Sequence, residues 1–402
     1  MRASFARIGP PLGARPCPSR PVTGKAPNAR PGRLSAAVTA ERQRMATVGL
    51  VQVGLGFWGY DWATEVLPHV REVGLAGYVD PDRDALDRIG AALGVPPALC
   101  FTSLAEAFER AECDAVLASL PTKYHVPVAR AALEAGKHVI VEKPFAPTLA
   151  EAAELVRLAE AKGLTLMVSQ NYRHYPASVA AADLVASGAL GRPLQVSVDF
   201  RRNALVEGYR YWDIPDPLLA DMSIHHFDLM RFVLGLEPVE VSCRTWNHAG
   251  SPFRADPCGA ATITFERGVT AAYRGSWLSR APATTWSGDW AMDLEEGGVA
   301  WACRGGKAER AAAERLAAWH LDGTPLPPAD LTLPEGHDRA GALAAFARAI
   351  LSGAEPPRFS SGRDNLGSLA LVEACRLSAA RGGAPVWLDE VLPPGFGGKV
   401  AA

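Results

Sequence analysis

The sequence lacks the features that would place its protein in a membrane, on nucleic acid or in an oxidising compartment. No apolar run reaches the roughly 20 residues needed to cross a bilayer. Neither sign of charge dominates, since 41 lysines and arginines face 43 acidic residues, so no general attraction to nucleic acid follows. The seven cysteines form no C-x-x-C pair, which argues against a thiolate metal site and for a reducing, cytoplasmic compartment. The expected partners are small molecules or further copies of the chain.

One segment departs from this charge balance. Residues 1–44 carry nine basic residues and seven prolines against a single acidic residue, Glu41. Such a stretch buries too little apolar surface to offset the entropy of ordering, so residues 1–45 are predicted to be a disordered basic tail. An export or transit signal is one interpretation, but the apolar run 34–40 is short for that role. A misplaced start is favoured, because Met45 directly precedes a strand-like run.

The first organised region alternates short apolar runs with helical patterns between residues 46 and 168. This alternation predicts right-handed crossovers and a parallel sheet covered on both faces, which is a doubly wound α/β Rossmann domain. The predicted strands are 48–53, 75–79, 115–120, 138–141 and 164–168, and the predicted helices are 81–92, 104–111, 126–135 and 149–161.

The pattern changes after Pro176, where strand-like runs follow one another with turns between them. Residues 169–390 are therefore predicted to form an α+β domain with a large, mostly antiparallel open sheet. Residues 391–402 are expected to be a flexible C-terminus. Helical patterns occur at 177–186, 218–234, 339–351 and 365–380.

A glycine motif follows the first predicted strand. Gly54, Gly56 and Gly59 fit G-x-G-x-x-G between that strand and a predicted helix. The first glycine permits a tight turn, the second lets the backbone approach a pyrophosphate, and the third lets helix and strand pack closely. Phe57 and Trp58 begin the helix, whose free N–H groups face the anion. All five residues are predicted to bind a dinucleotide.

The choice between NAD and NADP depends on Asp80, which ends the second predicted strand 24 residues after Gly56. A carboxylate there accepts both ribose hydroxyls and repels a 2′-phosphate, so NAD is favoured. NADP stays possible because Arg83 lies nearby. The alternative role for Asp80 is a turn residue before Pro81.

Polar residues also follow the predicted strands 115–120 and 138–141 of this domain. Pro121 and His125 are expected to line the cofactor crevice, and Glu142 and Lys143 to reach it from the next strand, because ligands of open α/β sheets bind at the carboxyl edge. Pro144 biases Lys143 away from helix and holds it at the crevice. A solvated strand-end lysine and a helix-start contact for His125 are the alternatives.

A third cluster begins an apolar helix in the second domain. Asp221, His225 and Asp228 are spaced to share one helical face, while His226 points about 100° away. A carboxylate one turn from an imidazole orients it and stabilises its protonated form, which suits a proton-transfer histidine. Helix capping by Asp221 with a buried, satisfied His225 is the alternative. No metal site is expected, since adjacent histidines on a helix diverge.

Together these motifs resemble a known family. The glycine motif, Pro121 with His125, the phrase AALEAGKHVIVEKP at 131–144, and Asp221 with His225 look like the Gfo/Idh/MocA oxidoreductases, whose members include glucose-fructose oxidoreductase and inositol 2-dehydrogenase. The resemblance runs from about residue 48 to 388. It implies a Rossmann domain, a second domain whose open sheet builds homodimers or homotetramers, and a catalytic lysine, aspartate and histidine.

Carried over to this sequence, the implied catalytic residues are Lys143, Asp221 and His225. We expect His225 to take the proton of a secondary hydroxyl, Asp221 to hold the imidazole, and Lys143 to stabilise the oxygen. The expected substrate is a sugar, inositol or related polyol, with NAD(P) as hydride carrier. The alternatives are an NAD-dependent glycosidase or lyase that oxidises a sugar transiently, and a non-catalytic dinucleotide-bound regulator.

The substrate side is less regular than the family pattern. The glycine-rich run that often precedes the aspartate is replaced by 213–217, and Ser223 stands where glycine is common. The residues expected to contact substrate are Tyr172, Arg173, Trp212 and His226. An ion pair between domains is the alternative for Arg173, and packing or a subunit contact is the alternative for Trp212.

Overall fold

The computed structural model describes residues 47–205, 210–306, 312–334 and 336–396. The basic tail predicted over residues 1–45 lies outside these ranges, as do residues 397–402. Within them, no helix is both long and apolar enough to cross a bilayer.

A parallel sheet forms the first half of the described chain. Its strands are β1 (Val48–Val53), β2 (Val73–Val79), β3 (Cys100–Phe101), β4 (Ala115–Ala118), β5 (His138–Val141) and β6 (Leu166–Val168). They lie in the order β3-β2-β1-β4-β5-β6, with every neighbouring pair parallel. The connections reverse direction between β1 and β4, which creates the crevice where ligands of such sheets bind.

The helices of this region follow the predicted alternation. They are α1 (Phe57–Asp61), α2 (Arg83–Leu93), α3 (Leu104–Arg110), α4 (His125–Glu134) and α5 (Leu149–Ala161). Asp82, Ser103 and Thr148 cap α2, α3 and α5 by accepting a backbone N–H with the side chain, which satisfies donors that a helix start leaves free. The predicted doubly wound Rossmann fold is confirmed.

The second sheet is larger and mostly antiparallel. In the described residues its strands are β7 (Pro193–Arg201), β8 (Pro238–Trp246), β9 (Cys258–Phe265), β10 (Thr270–Ser276), β11 (Asp289–Leu294), β12 (Gly297–Ala302), β13 (Arg315–His320) and β14 (Val386–Trp387). Their order is β13-β12-β11-β7-β10-β9-β8-β14, and β7 with β10 is a parallel pair. The predicted α+β domain is confirmed. Edge strands β13 and β14 are not predicted, because β13 is largely exposed without apolar alternation and β14 has only two residues.

Four longer helices cover the two sheets: α6 (Pro176–Ser187), α7 (Ile224–Leu234), α8 (Asp338–Ser352) and α9 (Gly362–Ala380). The helix α8 packs on the parallel sheet, where Leu343 and Phe346 share a core with Leu50, Leu117 and Ile140. A segment from the second half of the chain therefore covers one face of the Rossmann sheet. This placement brings the residues that precede α8 to the carboxyl edge of that sheet.

The end of the described chain packs against the same assembly. Phe396 lies under two guanidinium groups, 4.9 Å from that of Arg157 and 4.6 Å from that of Arg363. Arg157 also donates to the carbonyl oxygen of Pro394 at 3.2 Å. Of the C-terminus expected to be flexible, residues 391–396 are thus held by α5 and α9.

Candidate active site

The glycine turn after β1 has the three properties that the motif predicts. Gly54 has φ of 92°, which favours glycine. A Cβ on Gly59 would lie 2.0 Å from the carbonyl oxygen of Gly54, so only glycine allows α1 to pack this closely. A Cβ on Gly56 would meet no protein atom within 4 Å. The open space over Gly56, at the start of α1, fits the pyrophosphate of a dinucleotide.

Buried polar residues that the sequence did not single out support this turn. Gln52, inside β1, donates through Nε2 to the carbonyl oxygen of Gly59 at 2.7 Å and to the Ser119 hydroxyl at 3.0 Å. The Ser119 hydroxyl also lies 3.0 Å from the carbonyl oxygen of Gly54. The sequence signal for this support is a glutamine inside a predicted parallel strand, because a buried amide must find hydrogen-bond partners there.

The carboxylate of Asp80 stands beside the turn at the end of β2. Its Oδ2 accepts from the backbone N–H of Leu55 at 2.7 Å and its Oδ1 accepts from that of Asp82 at 2.9 Å. This side chain therefore braces the glycine turn in addition to facing the crevice. The turn-residue role and the ribose role predicted for Asp80 are compatible.

His125 ties together the two strand ends where the crevice lies. One ring nitrogen is 2.8 Å from the carbonyl oxygen of Pro144 and the other is 2.7 Å from that of Leu120. The side chain is 1% exposed, so it shapes the backbone beneath Pro121 from inside the protein. Burial lowers the pKa of His125, against the opposing effect of these carbonyl contacts.

Glu142 and Lys143 follow β5 at the same edge. Glu142 is buried and accepts from Trp62 Nε1 at 2.7 Å and from the backbone N–H of Lys143 at 3.1 Å. The Nζ of Lys143 reaches across to the second domain. It donates to the backbone carbonyl of Asp221 at 2.9 Å and lies 3.2 Å from its Oδ1. Residues 78 positions apart are thereby joined in one site.

The pairing of Asp221 differs from the expectation that it holds His225. Residues Leu219–Ser223 form a π-helical turn before α7, in which Ser223 N donates to Leu218 O, five residues back, at 2.7 Å. This wider turn changes the rotation per residue, so two positions four apart no longer stack as in an α-helix. Among the described contacts, Asp221 bonds Lys143 and none joins it to His225.

His225 is held by an aromatic ring instead. The Tyr172 ring lies parallel to its imidazole, with centroids 4.1 Å apart and planes 2° apart. The side chain of His225 is buried, and its Nδ1 has no hydrogen-bond partner among the described residues. Burial lowers the pKa of His225 well below its ordinary value, and the charges of Lys143 and Arg304 add to this effect. The imidazole is therefore neutral at pH 7 and can accept a proton.

These groups share one cavity of about 370 Å³. The predicted site residues among its lining are Trp58, Glu142, Lys143, Tyr172, Asp221 and His225. Sequence reasoning missed six further lining residues: Asn171, Met222, Trp277, Trp286, Arg304 and Arg339. Trp277 follows β10 and Trp286 precedes β11. Arg304 lies in the loop after β12 and Arg339 in the first turn of α8, and no local pattern connects either arginine to the site.

Three residues expected to contact substrate are engaged within the protein. Arg173 forms a bidentate pair with Asp228, at 2.7 and 2.6 Å; both residues belong to the second domain, so this ion pair is not the predicted one between domains. His226 is fully buried and contacts the Tyr273 hydroxyl and the Trp286 carbonyl oxygen, each at 3.0 Å. Trp212 Nε1 donates to the carbonyl oxygen of Ala204 at 2.9 Å. Of the four residues expected to contact substrate, Tyr172 lines the cavity.

Comparison with known families agrees with this geometry in both halves of the chain. Residues 48–170 match the model described as "Oxidoreductase family, NAD-binding Rossmann fold", and residues 178–298 match the "GFO/IDH/MocA C-terminal domain". The chain belongs to the Gfo/Idh/MocA oxidoreductases. This membership makes the doubly wound domain an NAD-binding domain and confirms the resemblance seen in the motifs.

Other Gfo/Idh/MocA-like proteins show how far the similarity extends. The chain is 30% identical to D-apiose dehydrogenase of Paraburkholderia graminis over 319 residues, which is 75% of this chain and 80% of that one. It is 31% identical to inositol 2-dehydrogenase 4 of Saccharopolyspora erythraea over 202 residues, 50% and 57% of the two chains. Its fold resembles that of an Agrobacterium radiobacter oxidoreductase crystallised in complex with NAD+, L-tartaric acid and magnesium. The TM-score is 0.73 at 22% identity, and the match covers 85% of this chain and 99% of that one.

Proposed function

We propose that this oxidoreductase oxidises a secondary hydroxyl of a sugar, inositol or related polyol with NAD. The observation that carries the proposal is the convergence of Lys143, Asp221 and His225 in one cavity beside the glycine turn. An ammonium group, a carboxylate and a neutral buried imidazole at one place are what removal of a hydroxyl proton requires. The named relatives that act on apiose and inositol support the polyol class.

The roles of the side chains follow from their charges. Burial lowers the pKa of His225 and leaves the imidazole neutral, and we assign to it the acceptance of the hydroxyl proton. Lys143 places positive charge beside the oxygen as it becomes a carbonyl. Asp221 keeps the Lys143 ammonium group at the cavity wall through the 3.2 Å contact. Tyr172, stacked on the imidazole, sets the plane from which His225 acts.

The cofactor site is assigned to the residues at the carboxyl edge of the parallel sheet. Bound NAD supplies the hydride acceptor. Gly54, Gly56 and Gly59, with Phe57 and Trp58 at the start of α1, would hold its pyrophosphate, because this backbone leaves room for an anion and free N–H groups to bind it.

Three further groups complete this assignment. Asp80 would bind the adenosine ribose, since its carboxylate stands at the end of β2 next to the turn. Pro121, set by the His125 contacts behind it, and Glu142 with Lys143 would frame the nicotinamide half.

The test compares oxidation of a panel of sugars, polyols and inositols with NAD and with NADP, followed by absorbance of the reduced nicotinamide. Lys143→Ala and His225→Ala should each lower kcat/KM by roughly 100-fold or more. Lys162→Ala and His320→Ala, which change exposed residues, serve as controls and should match the unmodified protein. Turnover that persists in both site variants would refute the assigned roles.

The same assay separates the alternative reactions. A dehydrogenase accumulates NADH in step with substrate loss, whereas a glycosidase or lyase that oxidises its sugar transiently cleaves a glycoside without net NADH. A regulator binds NAD and turns over none of these compounds. Net NADH from a free polyol is the expected result.

We also propose that the chain forms homodimers or homotetramers through the outer face of the second sheet. Small exposed residues lie side by side there, with Ala272 opposite Ser197 and Ser197 opposite Ala291 across three neighbouring strands. Such a flat surface allows close approach of a second copy. Light scattering should give a multiple of the 42.6 kDa chain mass, and Ser197→Arg should reduce it.

A further inference from the structure

We infer that the substrate is an acid, a sugar or polyol bearing a carboxylate, and that Arg304 and Arg339 bind this group. The inference rests on the proposed function and narrows its substrate class. Both arginines line the cavity that contains Lys143 and His225. A guanidinium group matches a carboxylate with parallel hydrogen bonds and does not lose its charge.

On the described lining of this cavity, cationic side chains outnumber carboxylates. Its described lining holds Lys143, Arg304 and Arg339 against two carboxylates, Glu142 and Asp221. Both carboxylates already have partners, Glu142 in Trp62 and Asp221 in Lys143. An oxidised nicotinamide adds a further positive charge when bound, and an anionic substrate beside it would offset that charge in a poorly solvated space.

The two arginines have acidic partners, Asp61 and Asp338, that line a different cavity. Asp61 pairs with Arg339, and Asp338 acts electrostatically on Arg304. Both aspartates line a neighbouring cavity of about 380 Å³, which shares Arg304 and Arg339 with the catalytic one. The two arginines thus separate the catalytic cavity from a neighbouring cavity that contains their acidic partners.

The donors of Arg339 are also incompletely satisfied. The residue is 8% exposed, and its Nε and Nη1 have no hydrogen-bond partner among the described residues. The rings of Trp58 and Trp62 lie 4.5 and 5.3 Å from its guanidinium carbon, which holds the group in place by cation–π contact. Buried guanidinium donors without acceptors are costly, and small rotations toward an incoming carboxylate would relieve that cost.

Arg304 is positioned by an unusual backbone. Its φ of 57° lies in the left-handed region that a non-glycine residue seldom adopts. Its backbone N–H donates to Glu314 at 2.9 Å and its side chain to the Tyr172 hydroxyl. The guanidinium carbon is 4.6 Å from the centre of the Tyr172 ring, and both side chains line the catalytic cavity.

The experiment uses matched pairs of compounds that differ in one carboxylate: an aldonate with its alditol and a uronate with its aldose. Full-length protein with NAD is assayed for kcat/KM, and isothermal titration of the NADH complex measures binding without turnover. The acid of at least one pair should be favoured by roughly 10- to 100-fold, the effect of one hydrogen-bonded ionic contact. Arg304→Gln and Arg339→Gln should each bring the ratio of acid to neutral toward one, and Arg339→Lys should retain part of it.

Matched controls remove exposed arginines with the same change of charge. Arg348→Gln, farther along α8, and Arg315→Gln, on β13, should leave the ratio unaltered. Turnover of neutral compounds with no acid preference, or a preference that survives both Arg304→Gln and Arg339→Gln, would overturn the inference while the proposed function stands. Arginine-dependent binding of acids without any NADH formation would support the inference and refute the proposed function. Absence of both binding and turnover for every acid overturns the inference.

Discussion

Replacing Asp228 with asparagine removes one charge from a bidentate ion pair that water does not reach. Arg173 donates to its two oxygens at 2.7 and 2.6 Å, and the side chains of Arg173 and Asp228 are 5% and 1% exposed. Ser368 donates to the same carboxylate at 2.9 Å. The variant leaves Arg173 desolvated with only its second carboxylate, Asp364, at 2.6 Å.

Breaking a buried ion pair from one side costs about 3–5 kcal/mol, because the remaining charge stays away from water. Asp364 retains part of the attraction, and its side chain is 33% exposed, so we expect a loss near the lower figure, about 3 kcal/mol. Urea unfolding of the full chain, followed by tryptophan fluorescence, measures the change in the free energy of unfolding. The slope with urea should stay the same.

The control is an exposed pair of the same geometry. Arg363 contacts Glu160 with two nitrogens, at 2.5 and 2.9 Å, but the side chains are 52% and 45% exposed. Glu160→Gln should therefore cost less than about 1 kcal/mol. If the two substitutions lower the free energy of unfolding equally, burial does not explain the stability that the Arg173–Asp228 pair contributes. The assignment of Arg173 to a structural ion pair then loses its support.

Three further outcomes are expected. Gly56→Ala should fold normally, since its Cβ would meet no protein atom within 4 Å. It should raise the Kd for NAD roughly tenfold or more in a fluorescence titration. An unchanged Kd would contradict the assigned pyrophosphate position. Tyr172→Leu removes the ring stacked 4.1 Å from His225 and should lower kcat about tenfold. Tyr172→Phe keeps the ring and should lower kcat less. If the steady-state kcat falls equally in both variants, Tyr172 does not position the imidazole. Burial lowers the pKa of His226 to about 4, so as the pH falls the unfolded chain binds a proton at this residue before the folded chain does. The stability that His226 contributes is therefore complete above about pH 6.5. It is lost, by up to about 1.4 kcal/mol per pH unit, as the pH falls toward 4. Urea unfolding at pH 7.5 and 5.5 should show a smaller difference for His226→Phe, and an equal difference would exclude this linkage.

Much of the first domain could be predicted because its signals are local. Within the glycine turn, a Cβ on Gly59 would lie 2.0 Å from the carbonyl oxygen of Gly54, five residues earlier, so this constraint is local. The alternation of apolar runs and helical patterns reports the parallel sheet directly, since strands buried on both faces read as continuous apolar segments. The carboxyl edge, with Lys143 following β5, then follows from topology.

The pairing inside the second-domain cluster could not be predicted in the same way. Spacing in an α-helix placed Asp221 over His225, but the π-turn at Leu219–Ser223 altered the rotation between them. The spacing rule holds only for regular helix, and nothing in the local pattern marks the wider turn. For Arg173, the expected partners were a substrate or another domain, and only the coordinates show that it pairs with Asp228 and Asp364 inside the second domain.

By itself, the amino-acid order determined the two folds, the dinucleotide turn and the identity of the groups available for proton transfer, because each depends on contacts between residues near in sequence or on strand periodicity. Tertiary structure alone decided which groups meet. Packing of α8 on the parallel sheet carries Arg339 to the cavity, and the loop after β12 brings Arg304 to the same cavity. Contacts between distant segments arise from the burial of whole faces, which no short stretch of sequence encodes.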